Sequence, residues 1–246
     1  MLPIRSAWDT DLPARCRPSD AFPWRFRRQL SLLTRPVVET VTSPRTFFIS
    51  VPQLEKGVAY WLGNLNDGYF PREFFASKEM RRFIGSIARR RGQEFTRSVG
   101  TMFNEAGYSF DIEIEVTALG ASKHAGLGDI DILAWQTNTG RVFAAECKRL
   151  QTALTPREVI QRLEDFRGSR EQKDSLGRHL RRVDWLRANL DALAAWTKIP
   201  LEQLTLTPLL IPSEIVPMQF FEDMDFPTDH VVPFDDLPSF LSKLSA

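Results

Sequence analysis

The sequence contains only two cysteines in 246 residues, Cys16 and Cys147, so it has no disulfide framework. It also lacks any apolar run near the roughly 18 residues that a membrane-spanning helix needs. A signal peptide is excluded as well, because Asp9 and Asp11 stand where its apolar stretch would lie. The formal net charge of +1 gives no overall attraction to nucleic acids or membranes. These absences predict a soluble cytoplasmic protein with no membrane partner.

The composition, 43% hydrophobic and 26% charged, is typical of a globular protein. Residues 1–76 hold half of the sixteen prolines and show no sustained strand or helix period. We interpret residues 1–76 as an irregular N-terminal module that contains Pro and Trp. Its role is either to cap the main domain or to bind a partner. Residues 77–246 form the predicted main domain.

Local patterns place the elements around this division. A helix is predicted from Ser77, its N-cap, to Ala106, with Gly92 as a candidate break and Gly107 at its end. Strict alternation of apolar and polar residues over Ser109–Thr117 indicates a half-buried strand. The other predicted elements are strands at Arg35–Val41, Thr46–Val51, Ile130–Trp135, Val142–Cys147, Thr207–Pro212 and Glu214–Phe221, and helices at Gln53–Leu65, from Pro156, from Asp174 or Ser175 to Thr197, and from Asp235 or Asp236 to Leu244. This order predicts an α/β fold with a mixed sheet covered by helices.

Charged residues mark the ends of one predicted hairpin. Asp129 and Asp131 begin its first strand, and Glu146 and Lys148 end its second, so closing the hairpin brings them together. Alternation along a strand places Glu146 and Lys148 on one face and Cys147 on the other. Carboxylates at the ends of apolar strands are costly to bury unless a cation or hydrogen bonds compensate them. The hairpin therefore predicts a metal site, and the alternative is a salt-bridged hairpin end in which Lys148 simply neutralises Glu146.

Phosphodiester hydrolysis suits this set of residues. Asp131 and Glu146, with the backbone carbonyl of Cys147, supply oxygen ligands of the kind that Mg²⁺ prefers, and Mn²⁺ is an expected substitute. Lys148 would orient or deprotonate the attacking water and offset negative charge in the transition state. Glu94 lies at the border of the apolar stripe of the Ser77–Ala106 helix, from which it could complete a metal site, although a border glutamate is more often solvated.

The pattern D-x14-E-x-K, formed by Asp131, Glu146 and Lys148, resembles the PD-(D/E)xK, or restriction-endonuclease-like, nuclease superfamily over roughly Ser77–Leu244. It is closest to the Mrr-like, NERD-like and Holliday-junction-resolvase-like branches. The resemblance implies an αβββαβ core and a catalytic set of Asp131, Glu146, Lys148 and Glu94. The chain departs from the family at Ile130, where proline is common. Asp129 is therefore a second, less favoured candidate metal ligand.

Several basic residues near the hairpin are candidates for nucleic-acid contact. The glycine-rich loop before the hairpin carries two of them, and the others follow the hairpin or lie on the helix that ends at Thr197: Lys123, His124, Arg149, Arg181 and Arg182. A solvated helix face is the ordinary interpretation of such arginines. Gln161 is similar to an accessory glutamine of some superfamily members, although a solvated glutamine is the more common case.

These observations predict a Mg²⁺-dependent DNA nuclease, most simply an endonuclease, that acts in restriction, phage defence or DNA repair. The alternative is a catalytically silent, nuclease-like module that binds nucleic acid or protein within a larger complex. The sequence leaves open RNA as a substrate, and it leaves open whether the chain forms a homodimer or a subunit of a larger defence or repair assembly.

Overall fold

The computed structural model describes residues 32–33, 36–39, 44, 46–70, 77–121, 126–167 and 174–245. The chain divides into two compact units, Met1–Arg89 with Leu154–Val159, and Arg90–Ala153 with Ile160–Ala246. The division expected between residues 76 and 77 stays a prediction. None of the described helices combines the length and the apolarity that crossing a bilayer requires.

The first unit contains a short hairpin and a helix. Strand β1 (Val37–Glu39) pairs antiparallel with β2 (Phe47–Ile49), and α1 (Val51–Asp67) follows. Gly68 ends α1 with φ 70°, and a Cβ atom at this position would lie 2.7 Å from backbone atoms of Ala88. Only glycine meets both requirements without strain. The strands and the helix predicted in this part of the chain are confirmed, with shorter strands.

Helix α2 (Lys78–Glu105) is continuous through Gly92, so the expected break is wrong. Ser77 caps it, since its Oγ accepts the Met80 N–H at 3.1 Å. At the other end Gly107 adopts φ 83° and Tyr108 N–H donates to the Phe103 carbonyl at 3.0 Å. Both ends therefore lie where the sequence predicted them.

A four-stranded mixed sheet forms the centre of the second unit. Its strands are β3 (Ser109–Glu115), β4 (Asp129–Gln136), β5 (Arg141–Lys148) and β6 (Thr205–Pro212), in the order β3-β4-β5-β6. Neighbours pair antiparallel from β3 to β5, whereas β6 lies parallel to β5. The predicted α/β architecture with a mixed sheet and flanking helices is confirmed.

Four further helices are α3 (Pro156–Asp165), α4 (Ser175–Ala188), α5 (Leu190–Thr197) and α6 (Leu237–Ser245). The single helix expected to reach Thr197 is interrupted at Asn189, whose ψ of 48° is not helical. The strand expected at Glu214–Phe221 is also wrong. Pro217 begins a 3-10 turn there, Pro217–Phe220, since proline lacks the N–H that a sheet ladder needs.

Buried side chains form a cluster on each face of the sheet. On one face, Val99 and Phe103 of α2 and Leu237 and Leu241 of α6 pack with strand residues such as Phe143. The other cluster joins strand residues to α4 and α5 through Val183, Leu186 and Leu193. A third cluster surrounds the start of α4 and includes Leu176 and Leu180. The helices therefore cover both faces of the sheet.

The paired strands β3 and β4 change face partway along their length. Strict alternation predicts that Ile112 and Ile114 share a face, but Ile112 packs against the cluster of α2 and Ile114 belongs to that of α4. Their cross-strand partners Ile132 and Ile130 divide in the same way. Between them Glu113 has φ 52°, a left-handed conformation that is uncommon outside glycine. The expected single buried face of this strand is wrong for this reason.

Candidate active site

The ends of β4 and β5 bring Asp131 and Glu146 close enough for their charges to interact. The register of the two strands runs from Gln136↔Arg141 to Ile132↔Ala145 and ends next to these acids. Asp131 Oδ2 accepts the backbone N–H of Cys147 at 2.8 Å. Because a strand N–H points along the sheet toward the neighbouring strand, the Asp131 carboxylate lies between the two strands.

Cys147 contributes backbone groups to this position, while its thiol belongs to the core. The N–H and C=O of one strand residue point to the same neighbour, so the Cys147 carbonyl faces the same side as the Asp131 carboxylate. The thiol packs with the α2 cluster and bonds to the Thr96 side chain. Burial and the charges of Asp131 and Glu146 raise the pKa of the thiol well above its ordinary value. The sulfur is therefore not a nucleophile here.

Glu146 lies at the centre of a buried charge cluster. Only 3% of the residue is exposed. Its Oε1 pairs with Lys148 Nζ at 2.6 Å, and its Oε2 pairs with Arg182 Nη1 at 2.6 Å. His179 Nδ1 is 3.8 Å from Oε2, too far for a hydrogen bond, and neither ring nitrogen of His179 has a hydrogen-bond partner. Two cations thus neutralise a carboxylate that would be costly to bury alone.

The pKa shifts of the carboxylates follow from this arrangement. Burial and the Glu146 charge raise the pKa of Asp131 to about 7, against the opposing effect of Lys148. Burial would raise the pKa of Glu146, but Lys148, His179 and Arg182 together lower it. Asp131 is therefore the carboxyl group that takes up a proton near neutral pH.

Burial and the neighbouring charges also shift the pKa values of Lys148 and His179. Burial opposes the charge of Lys148, but Glu146 and Asp131 outweigh it and raise the pKa of the ammonium. Burial lowers the pKa of His179 to about 4 despite the Glu146 charge. Lys148 is therefore protonated and His179 neutral at physiological pH.

Lys148 opens into a cleft of about 450 Å³. The cleft lies between the end of β5 and the facing ends of α3 and α4, and its lining residues are Lys148, Leu150, Arg162, Asp165, Phe166, Asp174 and Ser175. The ammonium is the group of the charge cluster with the greatest exposure, 27% of its side chain. A ligand in this cleft would meet Lys148 first.

Glu94 lies away from this cluster, on the exposed face of α2. Its carboxylate pairs with Arg91 Nη1 at 3.2 Å and with Arg90 Nε at 3.8 Å, and 46% of the side chain is exposed. Thr96, two residues after Glu94 in α2, contacts Cys147 of β5. Two residues along an α-helix correspond to a rotation of about 200° about the helix axis. The Glu94 side chain therefore points away from β5, and its role at the site stays a prediction.

The other expected site residues fall at several places. Asp129 is exposed opposite Glu115 at the β3–β4 pairing. Arg149 and Arg181 are half-buried. Gln161 is exposed and donates to Asp165 Oδ1 at 2.9 Å, which is the solvated case. Lys123 and His124 lie outside the described residues.

Arg182 does not lie on the exposed helix face that the sequence predicted. His179, which lies close to it, was not predicted as a site residue. The sequence placed Arg182 among arginines off the apolar stripe, but it is 7% exposed and its guanidinium is bonded to Glu146. His179 lies one helical turn earlier on the same buried side. The signal was present, because His179 and Arg182 alternate with Leu176, Leu180 and Val183 on the apolar side of α4.

The donor set fits an oxygen-preferring divalent cation. In the part of the chain that the structure describes, no group of three or more His, Cys, Asp or Glu side chains is arranged to hold a metal ion. Asp131, Glu146 and the Cys147 carbonyl nevertheless supply three oxygen donors, and Mg²⁺ commonly takes few protein ligands and several waters. Burial, more than the Glu146 charge, raises the pKa of Asp131, and a bound cation would favour the ionised carboxylate.

Comparison with known proteins gives one match. Neither curated proteins nor solved structures match the chain. A protein family described as "Anti-phage protein Upx-like" matches residues 1–238, which is nearly the whole length. The chain therefore belongs to the Upx-like family of anti-phage proteins.

Proposed function

We propose that the chain acts in phage defence as a Mg²⁺-dependent nuclease that hydrolyses phosphodiester bonds in DNA. Membership of an anti-phage family indicates a defence role. The nuclease activity is our inference from the hairpin, and it includes membership of the PD-(D/E)xK superfamily. The single observation that carries it is the convergence of Asp131 and Glu146 at the ends of β4 and β5, with Lys148 Nζ 2.6 Å from Glu146 Oε1 at the edge of a cleft.

Two of the proposed catalytic residues hold the cation. Asp131 and Glu146 would bind it from neighbouring strands, together with the Cys147 carbonyl that faces the same side. When bound, Mg²⁺ supplies charge neutralisation at the phosphate and a more acidic water. Since Asp131 has a pKa of about 7, it must release its proton for full binding.

In this proposal Lys148 does not act as a general base. Its raised pKa keeps the ammonium charged, so it would bind a phosphate oxygen and stabilise negative charge in the transition state. Its partial exposure to the cleft gives the phosphate a path to it. Of the two roles expected for Lys148, the structure favours charge stabilisation.

A cleavage assay with matched variants tests this proposal. The purified chain is incubated with duplex, single-stranded and branched DNA and with RNA, with Mg²⁺, with Mn²⁺ or with a chelator. Asp131→Asn retains an acceptor for the Cys147 N–H but removes the charge, and Lys148→Gln removes the ammonium. Asp184→Asn, at a half-exposed position of α4, is the control and should cleave normally. Equal cleavage by Asp131→Asn and the wild type would refute the assignment.

A second function is favoured by one observation. Both oxygens of Glu146 are already paired, with Lys148 and with Arg182, so the cluster is neutral without a metal. This fits the catalytically silent module that binds nucleic acid or protein within a larger defence assembly. DNA binding without cleavage in either cation, together with no heat of Mn²⁺ binding, would support this alternative and exclude the nuclease.

A further inference from the structure

The two strands of the hairpin do not pair with each other at the end that carries the acids, although β3 pairs there with β4 and β6 with β5. The β4–β5 register reaches Ile132↔Ala145, whereas β4 begins at Asp129 and β5 ends at Lys148. The first residues of β4 therefore extend beyond this ladder. Side-chain bonds join the strands there, and the first of them is that of Asp131 to the Cys147 N–H.

Arg182 of α4 supplies the second connection. Its Nε donates to the Leu127 carbonyl at 2.7 Å, and its Nη1 donates to Glu146 Oε2 at 2.6 Å. Leu127 lies two residues before β4, so one guanidinium bridges the entry to β4 and the carboxylate on β5. Guanidinium is planar and rigid, and its donors diverge in a fixed fork. The bridge therefore fixes the distance between the Leu127 carbonyl and the Glu146 carboxylate, and it also compensates the charge of the carboxylate.

The surroundings of the guanidinium support this role. Arg182 is 7% exposed, and burying a charged residue to this extent is costly unless its hydrogen bonds are made. Gly128 lies beside the guanidinium, since a Cβ there would be in ordinary van der Waals contact with Arg182 Nη2 at 3.9 Å, and its φ of 73° favours glycine. Gly128 in turn accepts the Val116 N–H at 3.1 Å. Arg182 thus contacts the segment that sets where β4 begins.

We propose that Arg182 is a positioning residue that holds the Asp131 and Glu146 carboxylates at the separation that a divalent cation needs. This inference rests on the proposed function, because it takes both carboxylates as cation ligands. Arg182 sets the direction of Glu146 through Oε2 and the position of Asp131 through the Leu127 carbonyl, four residues earlier. Its guanidinium is almost fully buried and bonded to Leu127 and Glu146, in contrast to the nucleic-acid contact that the sequence suggested.

The test is Mn²⁺ titration by calorimetry, which needs no cleavage. Arg182→Ala and Arg182→Lys are compared with Arg187→Ala, whose side chain is 51% exposed on the same helix. We expect Arg182→Ala to bind Mn²⁺ at least about tenfold more weakly. Arg182→Lys should be intermediate, because an ammonium can neutralise Glu146 but cannot bridge both acceptors. Arg187→Ala should match the wild type.

Two further measurements separate positioning from general structural damage. Hydrogen exchange of the metal-free protein should accelerate at residues 126–131 in Arg182→Lys, while α5 and α6 keep their protection. In cleavage assays kcat should fall and KM for DNA should change little. A phosphate contact would instead raise KM and reduce the slope of log affinity against log salt by about one.

Three results of the Mn²⁺ titration would overturn the inference: unchanged affinity or tighter binding in Arg182→Lys, and no binding by the wild type. Unchanged Mn²⁺ affinity in Arg182→Lys means that the bridge does not position the ligands, and tighter binding means that Arg182 competes with the cation. If Arg182→Ala does not fold, Arg182→Lys decides. A wild type that binds Mn²⁺ without cleaving would refute the proposed nuclease and leave this inference to the titration. A wild type that binds no Mn²⁺ would overturn it.

Discussion

Asp131 Oδ2 accepts the backbone N–H of Cys147 at 2.8 Å, where a ladder hydrogen bond would otherwise continue the pairing of β4 with β5. The carboxylate thereby lies in the plane of the sheet, beside Glu146. This hydrogen bond distinguishes Asp131 from Asp129, which lies two residues earlier and is exposed at the start of the strand.

Removal of the Lys148 ammonium should reduce cleavage more than it disturbs folding. Lys148→Gln should lower kcat by about 10²–10³-fold, as expected for loss of one group that stabilises transition-state charge. The fold should persist, because Glu146 keeps its bond to Arg182. Single-turnover cleavage with circular dichroism as a folding control measures this. Activity within threefold of the wild type would contradict the role of Lys148.

Cation binding should strengthen as the pH rises. The pKa of Asp131 is raised from its ordinary 3.8 to about 7 by burial and by the Glu146 charge, so below pH 7 the cation must displace a proton. Mn²⁺ affinity should therefore fall by about tenfold for each pH unit below 7. Calorimetry in buffers of different ionisation enthalpy should show release of about one proton at pH 6. Binding that does not change between pH 6 and pH 8 would contradict this.

The raised pKa of Asp131 has the opposite effect on the stability of the metal-free fold, which should fall as the pH rises. A raised pKa means that the folded protein binds this proton more tightly than the unfolded chain. The stabilisation is present below pH 3.8 and is lost as the pH rises to about 7. Asp131→Asn should remove this part of the pH dependence in urea unfolding experiments. A wild type and variant with parallel curves from pH 4 to pH 7 would exclude the shift.

His179 should limit stability in acid. Its pKa is lowered from 6.5 to about 4, chiefly by burial, so the folded protein excludes a proton that the unfolded chain binds. Stability from this residue is present above pH 6.5 and is lost as the pH falls toward 4. His179→Leu should remove this loss. It should also stabilise the protein at pH 7 by about 1 kcal/mol, because two buried ring nitrogens without hydrogen-bond partners disappear.

Unfolding of the two proteins in urea at pH 5 and pH 7.5 measures this effect. If His179→Leu loses as much stability as the wild type between these pH values, the loss does not come from His179.

Glycine should be tolerated better at Glu113 than at a neighbouring strand position. Glu113 has φ 52°, which glycine adopts without cost, so Glu113→Gly should be neutral or stabilise by about 0.5–1 kcal/mol. Its bond to Gln93 is exposed and contributes little. Glu115→Gly, in the same strand and equally exposed, is the control and should destabilise by about 0.5–1 kcal/mol. Equal effects of the two substitutions in thermal unfolding would contradict the left-handed conformation.

The elements that the sequence predicted correctly depend on local chemistry. The hairpin of Asp131 and Glu146 follows from two apolar runs around Gly140, and the start of α3 follows from Pro156 and its preceding Thr155, whose Oγ1 accepts the Glu158 N–H at 3.2 Å. Such signals lie within a few residues of each other. Their outcome does not depend on the rest of the fold.

The parts that were missed depend on tertiary packing. Helical periodicity places Arg182 on the apolar side of α4, but it does not reveal the buried partner, Glu146 of β5, that compensates the charge. The direction of Glu94 likewise depends on which side of α2 meets the sheet, where Thr96 contacts Cys147. The change of face at Glu113 cannot be read from its uninterrupted alternating pattern.

That change of face leaves Asp131, at the acid-bearing end of the hairpin, outside the two apolar layers. Ile130 and Ile132, on either side of Asp131, are anchored in different clusters. The residue between them contributes to neither layer. Substitutions at Asp131 should therefore alter cation binding without opening a cavity, so chemistry and folding can be varied separately at this position.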